Sequence, residues 1–81
     1  MLAVRVVAVA AGGERPYAAS EWSDSLVIVD RGEIELCGAG GTRRRFTRGA
    51  LIWLDGVPLR ALRNPGGEPA VLLAVSRTLP A

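Results

Sequence analysis

The chain of 81 residues contains no histidine and no lysine; all ten of its basic residues are arginines. The first absence removes the imidazole that most often binds a transition metal or shuttles a proton. The second removes the amine of Schiff-base chemistry. A single cysteine, Cys37, cannot form an internal disulfide, so no disulfide framework holds the fold together. With no imidazole to activate it, Cys37 reads as a buried or half-buried structural thiol rather than a nucleophile. Aromatic residues make up only 5%. No apolar run approaches the roughly 18 residues of a membrane-spanning helix, so no membrane partner is expected. No segment carries apolar residues at helical spacing between caps.

What the chain has is apolar mass and punctuation. Hydrophobic residues are 49% of the total, which excludes intrinsic disorder as the main state. The length suits one domain, 1–81. Ten glycines and five prolines cut it into short pieces, the pattern of an all-β domain. The expected strands are Leu2–Ala10, Ser25–Val29, Glu33–Cys37, Thr42–Thr47, Ala50–Leu54, Pro58–Arg63 and Ala70–Val75. The piece Arg15–Trp22 reads as irregular or as a short edge strand, because Pro16 cannot donate to a central ladder. The glycine-bearing breaks are Ala11-Gly-Gly13, Asp30-Arg-Gly32, Gly38-Ala-Gly-Gly41, Asp55-Gly56 and Asn64-Pro-Gly-Gly67. About seven short strands between such turns predict a sandwich or barrel. The apolar start, Met1–Ala11, has some likeness to a signal-peptide core, but Arg5 interrupts it and it reads as a strand, with a cytoplasmic setting expected.

Leu26–Val29, Leu51–Leu54 and Val71–Val75 are apolar on both faces. A strand with one wet face should alternate. A barrel interior covers one face only, and no helices are expected to cover the other. The pattern therefore predicts a homodimer with sheets face to face.

Net charge is +2 and the pI about 9.5. The one basic cluster is Arg43, Arg44, Arg45 and Arg48. On a strand Arg43 and Arg45 face one way and Arg44 the other, which splits the cluster. A solvated hairpin arm is expected there, and nucleic acid is not the expected partner. An Arg-rich nucleic-acid or regulatory partner stays as a further alternative.

The spacing from Gly49 to Asn64 resembles the second motif of the cupin superfamily, small double-stranded β-helix (jelly-roll) barrels. That motif reads Gly, five residues, Pro-x-Gly, two residues, His, three residues, Asn. Arg60 stands at the histidine position, Asp55 at the proline and Val57 at the second glycine, with Gly56 beside it. The first motif ends in Glu, six residues, Gly. Gly32 matches its glycine; Ser25 falls at the glutamate, next to Asp24, and Ala18–Glu21 covers the His-x-His stretch without a histidine. The segment from Asn64 to Arg77 is similar to the family's last strand. The resemblance covers about Glu21 to Arg77.

The resemblance implies a jelly-roll barrel. In the family's enzymes it also implies iron, manganese, nickel or zinc held by imidazoles and a carboxylate. Here the imidazoles are missing, and a guanidinium with no free lone pair would repel a cation, so no metal and no cofactor is expected. The resemblance places Arg60 inside the barrel, where its charge needs a partner. Glu21, Asp24 and Asp55 are the internal candidates; the other is a small anionic or sugar-like ligand, with Trp22, Trp53 and Tyr17 available to line the pocket. The leading expectation is a metal-free, non-catalytic, dimeric module with Arg60, Trp22, Trp53, Glu21, Asp24 and Tyr17 as candidate ligand-binding residues and no catalytic residue. The alternative is a small cupin enzyme, isomerase or oxygenase in type, with Glu21 and Asp24 as atypical ligands.

Overall fold

The computed structural model describes residues 2–77. Eight strands form two antiparallel four-stranded sheets. They are β1 (Ala3–Val9), β2 (Glu14–Pro16), β3 (Ser25–Arg31), β4 (Glu33–Gly38), β5 (Arg43–Thr47), β6 (Leu51–Trp53), β7 (Leu59–Arg63) and β8 (Ala70–Ser76). The first sheet runs β1-β8-β3-β6 and the second β2-β7-β4-β5. Neighbours in each sheet are mostly distant in sequence, as in a jelly roll. The all-β expectation holds, and each expected strand is found within a residue or two of its predicted ends. Of the two readings of Arg15–Trp22, the structure has the edge strand, confined to Glu14–Pro16, with Pro16 at the sheet margin as its missing N–H requires. One detail differs. Ala19–Trp22 forms a one-turn helix, α1. One turn is too short to leave a helical period in sequence, and α1 has no side-chain cap to announce it. Among the described residues no helix is long and apolar enough to cross a membrane.

The two sheets meet over one apolar core. Val7, Val9, Val27, Val29, Ile52 and Leu72 come from the first sheet, and Ile34, Leu36 and Leu62 from the second. Trp22 plugs the interior from α1 and is fully buried. Arg5 closes that end, its guanidinium 5.0 Å from the Trp22 ring centroid.

The chain crosses from the first sheet to the second between β3 and β4, at Gly32. Its φ is +71°, and a Cβ there would meet the Pro69 carbonyl oxygen at 2.7 Å. Only glycine satisfies both demands. Asn64, 0% exposed, fastens the opposite crossing. Its Nδ2 donates to the Val9 carbonyl at 3.0 Å and the Glu68 carbonyl at 2.7 Å, and its Oδ1 accepts from the Gly66 N–H at 2.9 Å. The motif asparagine thus ties the end of β1 to the β7–β8 turn.

Candidate functional site

Tertiary pairing sorts the outward side chains into two unlike surfaces. On the second sheet the outer face is polar. Arg43 and Arg63 flank Glu35 at 3.8 and 3.6 Å, and Arg45 lies 3.9 Å from Glu33. Cys37 is buried beside them, its thiol donating to Glu35 Oε1 at 3.9 Å. On the first sheet the outer face is apolar. The three strands expected to be apolar on both sides, β8, β3 and β6, lie next to one another, and β1 joins them. The register lines up Val4, Val75, Leu26 and Trp53 in one row and Val6, Leu73, Ile28 and Leu51 in the next. At the margins Val4, Val6, Leu51 and Trp53 are 62%, 65%, 65% and 51% exposed.

The structure does not gather the candidate ligand residues into one pocket. Arg60 is exposed, not enclosed as the resemblance implied, and makes no ion pair among the described residues. By alternation from Leu62 it would point inward, but the register of β7 shifts there: Ala61 pairs with Cys37 and Leu59 with Gly38, which skips Arg60. Leu59 takes the place against the core, and Arg60 is left in water, where its charge keeps its hydration. Trp22 belongs wholly to the core. Tyr17 packs against the core edge, and its hydroxyl donates to the Leu54 carbonyl at 3.4 Å. Partial burial, and then the Asp55 carboxylate, raise the Tyr17 phenol above its ordinary 10.0. Trp53 stands at the free margin of β6, half on the apolar face.

Glu21 and Asp24 do share a hollow. It is an open groove of about 620 Å³ with Arg5, Ser20, Ser25 and Ser76 on its walls. Both carboxylates are already neutralised. Glu21 pairs with Arg15 and, at 3.5 Å, with Arg5. Asp24 receives a two-pronged contact from Arg77 at 3.2–3.3 Å.

A second hollow, about 220 Å³, lies at the seam where edge strands β5 and β6 diverge. Leu36, Phe46, Ile52, Trp53 and Val57 form its walls and Arg44 its lip. Alternation along β5 did place Arg44 opposite Arg43 and Arg45, but the spacing gave no sign of the apolar hollow it would meet.

The donor set does not fit a transition metal. The inward positions between the sheets carry aliphatic side chains and Trp22, and among the described residues no three His, Cys, Asp or Glu groups come together as ligands.

No family model and no curated protein matches the sequence. Solved structures do match the fold. The Schizosaccharomyces pombe Cnp3 cupin domain superposes with a TM-score of 0.73 at 24% identity, over 91% of this chain and 50% of that one. A Cupin 2 conserved barrel domain protein from Salinispora arenicola CNS-205 gives 0.69 at 24% identity, over 91% of this chain and 60% of that one. The Cupin_2 domain of an XRE family transcriptional regulator from Enterobacter cloacae gives 0.65 at 18%, over 96% and 83%. The chain thus has the cupin fold, as the motif spacing implied. It spans 50% and 60% of the first two matched chains.

Proposed function

We propose that this chain is a metal-free, non-catalytic cupin-fold module that pairs with a second copy of itself through the outer face of the β1-β8-β3-β6 sheet. The observation that carries the reading is the pair of apolar rows centred on Leu73 and Val75. The two rows, four strands about 4.8 Å apart and two side chains deep, present on the order of 250 Å² in projection. Neither row has a charged member, and covering such a face is favourable by about 25 cal/mol per Å². Charges lie beyond the rows, at Asp30 and Arg77. Two copies related by a two-fold axis would stack such sheets about 10 Å apart, the spacing of a sandwich core. Homodimer interfaces are the most apolar class, which favours a second copy over a transient partner.

The enzyme alternative would need Glu21 and Asp24 free to hold an ion, and both are engaged by arginines. A small anionic or sugar-like ligand beside Arg60 has in its favour that this guanidinium is unpaired among the described residues. The groove of Glu21 and Asp24 and the hollow between β5 and β6 are lined by other residues, and the reading rests on the sheet face.

Sedimentation at micromolar concentration tests the pairing: a dimer is expected, and a Leu73→Glu variant should sediment as a folded monomer. Wild-type protein that stays monomeric at hundreds of micromolar would overturn it. Elemental analysis tests the other half, because stoichiometric iron, nickel, manganese or zinc in the purified protein is incompatible with a metal-free module.

A further inference from the structure

We propose that the seam hollow between β5 and β6 binds a small monocarboxylate with an apolar body, held at its charged end by Arg44. Three neighbouring arginines on β5 meet different fates. Arg43 and Arg45 point to the outer face and find Glu35 and Glu33. Arg44 faces the other way, opposite Leu36 in the register, and makes no ion pair among the described residues. Its guanidinium lies over the Phe46 ring, 5.6 Å from the centroid. Stacking uses the face of a guanidinium and leaves its in-plane N–H donors for an acceptor.

The walls set the chemistry of that acceptor. Leu36, Phe46, Ile52 and Trp53 offer apolar surface from both sheets, and Arg44 is the sole charged residue on the lining. A cation is repelled, and a neutral apolar molecule leaves the arginine unanswered. A phosphate brings up to two charges and three acceptor oxygens to one guanidinium and the Thr42 hydroxyl. A carboxylate brings one charge and two oxygens, which match the guanidinium fork. A hollow of about 220 Å³ suits a ligand of a few carbons rather than a drug-sized one. Short branched-chain acids are of that size. This site is separate from the groove of Glu21 and Asp24 and from Arg60, and shares only Trp53 with the apolar sheet face.

The test is a titration of the full chain with 4-methylpentanoate, followed by amide NMR shifts and by tryptophan fluorescence, with 4-methylpentanamide as the neutral probe. Shifts should concentrate at Phe46, Trp53 and Val57. The acid should bind roughly tenfold or more tightly than the amide, and Arg44→Gln should remove that advantage, since a hydrogen bond to a charged group is worth this much. Arg44 is exposed, so the variant should keep its fold, and an unchanged spectrum away from the seam confirms it. Arg60→Gln should leave the affinity unaltered. Equal binding of acid and amide, shifts centred on Arg60, an Arg44→Gln variant that binds as well as wild type, or no shift at tens of millimolar would each overturn the proposal.

Discussion

The two sheets share a core and a strand count, yet their outer faces follow opposite rules. The β2-β7-β4-β5 sheet is finished for water. Glu35 on β4 lies between Arg43 of β5 and Arg63 of β7, Glu33 pairs with Arg45 of β5, and Cys37 and Ala61 on the same face are buried. The β1-β8-β3-β6 sheet is apolar on its outer side, with two unbroken rows of aliphatic side chains and Trp53 at one end. Cross-strand neighbours are the unit of sheet stabilisation on both faces. On one face the units are ion pairs that need no further partner; on the other they are hydrophobic pairs whose upper surface stays uncovered in a single copy. Burial inside the molecule therefore does not explain the composition of the first sheet.

The largest effect should come from unfastening the sheets from each other. Asn64→Ala strands the Val9 and Glu68 carbonyls and the Gly66 N–H, and should cost about 2–4 kcal/mol in a urea titration. A loss under about 0.5 kcal/mol would mean that the crossing is held by backbone alone. Next is the apolar face: Leu73→Glu should weaken self-association by at least about a hundredfold, because a buried unpaired carboxylate meets its own copy across the two-fold axis. The same charge on a face that never pairs would leave sedimentation unchanged.

The polar face should respond far less. Glu35→Gln should lower stability by about 1 kcal/mol, because partners Arg43 and Arg63 are largely in water. The difference should shrink in molar salt. A loss as large as that for Asn64→Ala would show the arginine bracket to be structural. The smallest effect concerns Tyr17. Its folded pKa is raised by partial burial and Asp55, so the unfolded phenol loses its proton first as pH rises. The stability this group contributes is full below about pH 10 and declines as pH climbs through the folded value. Tyr17 is the one tyrosine and there is no lysine, so few other groups titrate in that window. Tyr17→Phe should flatten the alkaline decline in the urea midpoint.

Much of this was legible beforehand for a definite reason. Side-chain alternation is a local property of an extended chain, so Glu33, Glu35 and Cys37 were assignable to one face, and Arg44 to the face opposite Arg43. The glycine at 32 announced a turn, though not that the turn carries the chain between sheets, and the spacing from Gly49 to Asn64 resembled that of a barrel family. Depth and register shifts were not legible. By simple alternation Arg60 shares a side with Leu62 and Asn64, but the pairing of β7 with β4 skips Arg60, and Leu59 packs against the core in its place. Trp22 and Trp53 could not be told apart in the sequence, each a candidate for core, interface or pocket wall; a single helical turn carried one into the core and the edge of β6 left the other half in water.

The amino-acid order alone determined which residues can share a side of a strand, where the chain must turn, and that three strands carry apolar residues on both sides. Only the tertiary structure decided that those three strands lie side by side, that Glu35 falls between two arginines, and that Arg44 overhangs an apolar seam. The reason is range: period and turn chemistry act over a few residues, whereas the order β1-β8-β3-β6 joins segments far apart in the chain. A charge or an apolar row acquires its meaning from the neighbours that such pairing brings.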